Sequence, residues 1–419
     1  MSRLPNDCFS APEEMIQTVE ALILIKQSLK TVVGIENAFL EEAMGRILAE
    51  DITAPLSLPP QDNSAVDGYA FAFNDYKANA GIPFYVVGCS KAGTPFSGTL
   101  KTGQCLKILT GAFVPDGTDT IAMFEDCTEE DTGIFLPAGL SLGANVRKAG
   151  EDIQKGDIIL KKGTKLRPTE IARIASLGYS QVRIYQPLTL GLFSTGDELV
   201  EPGNELGLGH IFDSNRYLLR SLFQKFGVTV KDYGIIPDDL PTLQNALKTA
   251  AKECQMIVTS GGISIGDEDH VKQAVSAIGK LDFWRVAIKP GRPIALGTIQ
   301  NTAFLGLPGN PVSALVCAIE FGFTIARCLM GQTQSHTPSR MIVPAHFTME
   351  KKAGRREWLR GRYSFSKSQA GSVEAFHSTG SGLISSLTWA NGLIEIPEDI
   401  TNIEMGDPVH FIPFGELFE

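Results

Sequence analysis

The sequence predicts a multidomain α/β protein organised around a mainly parallel sheet, and three observations carry that reading. Between residues 187 and 330, strand-like runs alternate with helical patterns of ten or more residues, as parallel strands joined by helical crossovers require. On both sides of that segment, short β-like runs are punctuated by Gly and Pro, which points to smaller β domains. At 419 residues the chain exceeds what one hydrophobic core usually organises, so three or four domains are expected.

Taken in chain order, residues 12–30 open with Pro-Glu-Glu, a good first turn, and carry apolar residues at helical spacing. A second helix is expected around Glu36–Met44. The stretch 51–66 is too rich in Pro and Asp for regular structure and reads as an ordered loop. From 68 to 150 the runs YAFAF, PFYVVG, CLKIL, TIAMF and GIFL predict a small β domain. The segment 168–178, PTEIARIASLG, has Pro near a helix start and Gly at its end. The central series then runs strand LTLGLF, helix RYLLRSLFQKFG, strand VTVKDYGII, helix LPTLQNALKTAAKE, strand MIVTS, helix HVKQAVSAIG, strands FWRVAI and AFLGL, and helix VSALVCAIEF. From about 335 onward, RMIVPAHF, LIEIP and VHFIPF predict a final β domain. No repeat of fixed period is present.

Bulk properties exclude several classes. An apolar fraction of 43% and a mean hydropathy of +0.04 are ordinary for a soluble globular chain. A net charge of -10 and a pI near 5.3 argue against a general binder of nucleic acid or acidic membrane, so an anionic substrate needs a local basic pocket. The seven cysteines are scattered and never form a CxxC pair, which suits reduced thiols and gives no zinc or iron–sulfur site. The opening MSRLPNDCFSAPEE lacks a basic-then-apolar pattern, and the most apolar helix, Ala314 to Met330, is interrupted by Glu320 and Arg327. The expectation is a cytoplasmic protein that does not span a membrane.

In an open parallel sheet, ligands bind at the carboxyl ends of the strands. Five loaded loops fall there: STGDEL (194–199), PDD (237–239), TSGGISIGDED (259–269), KPGRP (289–293) and LPGNP (307–311). In the first and third, Ser194, Thr195, Ser260 and Ser264 offer hydroxyls, while Gly196, Gly261 and Gly262 let the backbone approach a ligand. In LPGNP, Pro308 and Pro311 stiffen the loop and leave N–H groups at Gly309 and Asn310 to face a phosphate. Lys289 and Arg292 are cations on a Pro/Gly-stiffened loop. A single Gly-Pro loop is as readily a plain turn; three on one edge weigh against that reading.

Glu198, Asp238 and Asp269 place carboxylates in three of these loops, and oxygen ligands beside a phosphate pocket suit magnesium. The competing reading is helix N-capping, to which Asp197 is most readily assigned. A third class is raised by Gly262 to Gly266, GISIG, which matches the G-x-S-x-G form of a serine hydrolase elbow with Ser264 as nucleophile. Its partner histidines would be His336, His346, His377 or His410, all in or beside the C-terminal β segment, and the acid run Asp267-Glu268-Asp269 is unusual at an elbow.

The strings DNSAVDGYA, LTGAFVPDG, RKAGEDI, LFSTGDEL, SGGISIGDED, IKPGRP and GLPGNPVSA occur in that order from about residue 12 to the C-terminus. Together they resemble the molybdopterin molybdenumtransferase family, which includes the gephyrin E domain. The N-terminal strings separate it from the related adenylyltransferase, which shares only the sheet domain. The resemblance implies an N-terminal helical, elongated domain at 12–55 plus 153–186 and an inserted β domain at 56–152. It further implies a molybdopterin-binding α/β domain at 187–333 and a C-terminal β-barrel at 334–419. The implied reaction is insertion of molybdate into adenylyl-molybdopterin with release of AMP, with magnesium on Glu198 and Asp269. It implies a homodimer in which Asp67, Thr110 and Asp152 of one subunit face Glu198, Asp238 and Asp269 of the other. Lys289, Arg292, Arg360 and Ser381 resemble the family's molybdate pocket, with Arg standing at 292 where Lys is expected and a shortened segment around Ser381. Molybdopterin adenylyltransferase and molybdoenzyme acceptors are the implied partners. A gephyrin-like scaffold is the remaining alternative, and no attached adenylyltransferase domain or long linker supports it.

Overall fold

The computed structural model describes residues 15–79, 81–263, 270–291, 293–333, 338, 340–366 and 369–418. Two compact units divide the chain. One runs up to Ala49, takes in Gly163–Arg167 and resumes from Gln181 to the C-terminus; the other comprises Glu50–Lys162 and Pro168–Ser180.

The first unit is built on the central sheet. Its elements are β1 (Thr189–Thr195), α1 (Asn215–Phe226), β2 (Thr229–Ile236), α2 (Leu240–Glu253), β3 (Met256–Ser260), α3 (His270–Ile278), β4 (Gly279–Arg285), β5 (Pro293–Ile299), β6 (Thr302–Leu307) and α4 (Pro311–Cys317). The strand order is β2-β1-β3-β6-β5-β4. Pairings β1–β2, β1–β3 and β3–β6 are parallel, whereas β5 runs antiparallel to both β6 and β4. Alternation along the strands explains the layering. Leu190, Leu192, Met256, Val258, Leu305 and Leu307 pack with Leu219, Leu222 and Phe223 of α1 and with Leu315 of α4. Phe193, Ile257 and Phe304 point the other way, onto Leu243 and Leu247 of α2 and Val271 and Val275 of α3. Burial on both faces is what parallel strands require.

Beyond α4 the chain makes a π-turn at Ala318–Gly322 and continues as a helix, Phe323–Met330. The stretch Pro311–Met330 is long and apolar enough to cross a membrane, but 89% of it is buried inside the structure, where it serves as the core helix. The C-terminal strands run in the order Ile288–Lys289, Arg356–Ser366, Gly392–Ile396, Pro408–Pro413 and Met341–Pro344, with Gln369–Ala375 paired to Arg356–Ser366. Ala345 bridges Val373, and the His346 N–H donates to the Val373 carbonyl at 2.8 Å, which returns the last strand to Gln369–Ala375 and closes a barrel.

The second unit holds a four-stranded sheet ordered Tyr85–Ser90, Gln104–Ile108, Gly68–Phe71, Thr120–Met123. Tyr69 and Phe71 pack with Phe84 and Ile134 on one face, while Ala70 joins Ile108 and Ile121 on the other. The helix expected near 168–178 forms as Pro168–Ser176.

Three elements differ from expectation. The helix expected at Glu36–Met44 is instead a strand, Ile35–Phe39, paired antiparallel with Gln181–Tyr185, followed by a 3-10 turn at Leu40–Glu42. Helix propensity is a weak preference, and the ladder to Gln181–Tyr185 overrides it. Strand β5, which the sequence pattern does not predict between FWRVAI and AFLGL, lies between β4 and β6 in the sheet. In the C-terminal region, Arg356–Ser366 adds a long strand that the sequence reading does not contain.

Candidate functional site

The carboxyl ends of β1, β3 and β6 are neighbours in the sheet, and the loops that leave them touch. A Cβ added to Gly261 would lie 2.4 Å from the Thr195 carbonyl oxygen, and one added to Gly262 would lie 2.5 Å from Thr195 Oγ1. Both glycines have left-handed φ, +89° and +64°, so other residues would be strained there as well as crowded. The Gly261 N–H donates to the Leu307 carbonyl at 3.1 Å, and Gly261 Cα lies 3.7 Å from the Cβ position of Gly309. Glu198 folds back over Gly196, whose own Cβ would meet that carboxylate at 2.5 Å.

Asn215, which precedes the predicted helix RYLLRSLFQKFG and carries no motif of its own, ties this edge together. Its Nδ2 donates to Ser260 Oγ at 2.9 Å and to the Gly309 carbonyl at 2.7 Å. The next residue, Arg216, fixes the start of α1 by donating to Asp213 (3.0 Å), Asp232 (2.6 Å) and Glu201. Burial alone would lower the guanidinium's pKa, but the three carboxylates more than offset it and raise it.

Several buried polar atoms at this edge have no hydrogen-bond partner among the described residues: Ser194 Oγ, Thr195 Oγ1, Thr259 Oγ1, Asn215 Oδ1 and Asp238 Oδ1. Buried polar groups are ordinarily satisfied, so such a concentration marks a place where a polar ligand completes the bonding. Asp238 is not the helix cap. That task falls to Asp239, which accepts from the Thr242 N–H at 3.0 Å. Asp197 Oδ1 accepts from the Asp238 N–H at 3.3 Å, joining the first two acid loops. His270 Nδ1 approaches Asp238 Oδ1 to 3.3 Å without hydrogen-bond alignment. Ser264, Asp269 and Arg292 lie outside the described residues. Among the described residues no group of three or more His, Cys, Asp or Glu side chains is arranged to hold a metal.

In the LPGNP loop, Pro308 leads to Gly309, and Pro311 occupies the first turn of α4 with Asn310 as its N-cap. The Asn310 side chain makes no capping bond and stays available. The Val312 N–H donates to the Ser381 carbonyl at 3.1 Å, which brings the Ser381 segment against this helix start. Arg360, buried to 1% exposure, donates through Nε to Ser386 Oγ at 3.0 Å and through Nη2 to the carbonyls of Ser378 and Gly380. It therefore positions the backbone around Ser381, and burial lowers its pKa. Lys289 Nζ donates to Glu357 Oε2 at 3.1 Å, and Glu357 is itself buried, so Lys289 is anchored by an acid that carries no motif in the sequence.

In the second unit, three of the resembling strings meet. The Thr110 N–H and Oγ1 both donate to Asp67 Oδ1 at 2.7 Å, and these bonds hold the Asp67 carboxyl below its usual pKa. Asp62 accepts from Lys148 Nζ at 2.7 Å and from the Ala149 N–H at 2.8 Å, so DNSAVDGYA and RKAGEDI are bound together. The Asp152 N–H donates to the Leu58 carbonyl at 3.0 Å in the same cluster. Asp67, Thr110 and Asp152 are all exposed.

Fold and site together define a class: an α/β protein with glycine-rich and hydroxyl-bearing loops gathered at the carboxyl edge of a mainly parallel sheet, suited to a phosphate-bearing ligand. Family models match most of the chain. MoeA N-terminal region (domain I and II) matches residues 12–178, a probable molybdopterin binding domain matches 191–327, and MoeA C-terminal region (domain IV) matches 343–414. The chain is 37% identical to the molybdopterin molybdenumtransferase of Haemophilus influenzae over 379 residues, 90% of this chain and 93% of that one. It is 33% identical to that of a Nostoc species over 378 residues, 88% of this chain and 86% of that one. The solved molybdopterin biosynthesis moeA protein of Pyrococcus horikoshii OT3 superposes with a TM-score of 0.81 at 29% identity, covering 96% of this chain and 100% of that one. The chain belongs to the molybdopterin molybdenumtransferase family. Nothing supports the serine hydrolase alternative: His346 sits 3.4 Å from Glu374 in the barrel, and His377 packs against the Phe376 ring.

Proposed function

We propose that the protein inserts molybdate into adenylyl-molybdopterin, releasing AMP and completing the molybdenum cofactor. The observation that carries this reading is the contact of the β1, β3 and β6 loops through Thr195, Gly261, Gly309 and Asn215, with buried unpartnered hydroxyls on Ser194, Thr195 and Thr259 at the ends of β1 and β3. Gly309, Asn310 and the Pro308 and Pro311 frame would receive the phosphates, and Ser194, Thr195, Ser260 and Ser264 would supply hydroxyls. Lys289 and Arg292 would hold molybdate, a small dianion, beside Ser381, whose segment Arg360 keeps in place. No protein nucleophile is required, because positioning and fixed charges suffice.

Magnesium would suit an oxygen-only donor set, and Glu198 and Asp269 are proposed as its ligands. Bound there, it would neutralise the pyrophosphate linking pterin to AMP. We further propose a homodimer in which Asp67, Thr110 and Asp152 serve the site of the other subunit. A cytoplasmic setting suits the chain, since the described cysteines are all free thiols. An adenylyltransferase would supply the substrate, and molybdoenzymes would accept the product.

The test is AMP release by purified protein given adenylyl-molybdopterin, magnesium and molybdate. Release dependent on both ions is expected, and Glu198→Gln should abolish it while leaving the melting temperature near that of the parent protein. Full activity of that variant at ordinary magnesium would remove Glu198 from the metal site.

A further inference from the structure

At the amino ends of β1 and β2, away from the ligand loops, the first unit contains an open pocket of about 360 Å³ counting its solvent-filled mouth. Arg46 and Lys165 line it together with Tyr185 and Phe226, and its lining contains no acidic residue. That is notable in a chain with 47 acids against 37 Lys and Arg.

The cations here are poorly compensated. Lys165 has no carboxylate partner among the described residues; its ammonium lies 5.8 Å from the centroid of the Phe226 ring. Arg327 lies against the same ring, with its guanidinium 5.1 Å from the centroid and Nε buried without a partner. Burial lowers the pKa of Lys165, and the charge of Arg327 lowers it further. The acid acting on Arg327 is Glu320, whose pKa burial pushes up to about 7, so near neutral pH it is only partly ionised. Among the described residues, Arg46 alone of these three cations has a carboxylate partner, Glu36, and it also donates to the Tyr185 carbonyl at 2.8 Å. Two like charges held half-buried against one ring cost free energy unless an anion joins them.

We propose that this pocket binds a phosphate-class oxyanion through Lys165 and Arg46, with the charge of Arg327 beside the Phe226 ring adding to the attraction. The anion is either free phosphate or the phosphoryl group of a larger metabolite. A compact dianion meets the ammonium and guanidinium donors together and relieves the repulsion between Lys165 and Arg327.

Lysine acylation read residue by residue by mass spectrometry tests this on the full-length protein. Inorganic phosphate at millimolar concentration should slow acylation of Lys165 severalfold, relative to chloride at equal ionic strength, while exposed lysines such as Lys161 react unchanged. It should also raise the melting temperature of the parent protein, and Lys165→Met should lose that rise. Ribose 5-phosphate is the second arm: stronger shielding than by phosphate assigns the site to a phosphoryl group, and weaker shielding assigns it to the free ion. Unchanged Lys165 acylation with both probes overturns the proposal, and so does an equal phosphate-induced melting shift in Lys165→Met. If that variant fails to fold, the shielding measurement on the parent protein decides alone.

Discussion

Lys289 and Glu357 illustrate what a single residue can and cannot reveal in a sequence. The KPGRP loop announces Lys289 as a cation held by stiff neighbours, but nothing announces Glu357, which sits among REWLRGR and reads as surface charge. The structure buries Glu357 and gives it Lys289 as a partner. Lys289→Ala should raise the molybdate concentration for half-maximal AMP release by about tenfold or more, the scale of one hydrogen bond to a charged group (~1.5–3 kcal/mol). Affinity for adenylyl-molybdopterin should hold; a fall there instead would make Lys289 a phosphate ligand. Glu357→Gln should shift the molybdate dependence in the same direction by less. Asn215 was equally hidden, because one Asn before a helical pattern signals only a start, and its bonds to Ser260 and Gly309 join segments 45 and 94 residues away. Gly261, in contrast, was legible, since a glycine pair after a strand points to close backbone approach. Gly261→Ala places a Cβ against the Thr195 carbonyl at left-handed φ, a strain of ~1–3 kcal/mol before any displacement of the loop. Denaturant unfolding should show that loss together with strongly reduced AMP release, and a variant of parental stability and activity would contradict the loop packing.

Among elements, the central strands were readable because their apolar runs are short and bounded by turn residues. Strand β5 escaped because it begins at Pro293 and contains Gly297, both weak strand residues. The Arg356–Ser366 strand escaped for a different reason. Residues Glu357 to Gly361 are buried in succession, charges included, so no polar alternation marks them. The π-turn at Ala318–Gly322 was also invisible, and it carries Glu320 into the core with Oε1 unpartnered. Burial pushes the pKa of Glu320 up to about 7, the charge of Glu395 adds to the rise, and Arg340, Arg356 and Arg327 oppose it. The folded state thus keeps this proton at pH values where the unfolded chain, near 4.5, has lost it. Stability from this group is present below about pH 4.5, falls as pH rises toward 7 and then levels off. Glu320→Gln should remove that fall, so the variant should match the parent near pH 4.5 and exceed it above pH 7. The gain should be on the order of 3–4 kcal/mol at most, from a rise of about 2.5 pKa units at ~1.4 kcal/mol per unit. Parallel thermal melts from pH 4.5 to 8 decide this, and no divergence with pH would mean the surrounding arginines fully compensate the ionised acid.

For the whole molecule, the strings that mark the family fall in both compact units: Asp67, Thr110 and Asp152 in the second, Glu198 and Asp238 in the first. The structure shows that each set is locally assembled, Asp67 with Thr110 and Asp238 with the Asp197 loop. If the proposed dimer is correct, each active site draws its first set from one subunit and its second set from the other. Asp67→Asn and Glu198→Gln homodimers should then both be inactive, because every site in either carries a lesion. In a mixed dimer, one site collects both lesions and the other has none. Denaturing and refolding an equal mixture gives mixed dimers for about half the population, each with one intact site of two, so about a quarter of parental activity should return by two-fold symmetry. Native mass spectrometry on the same sample measures the mixed fraction, and activity should scale with it across mixing ratios. Proven mixed dimers without recovered AMP release would place both sets of acids at work within a single chain.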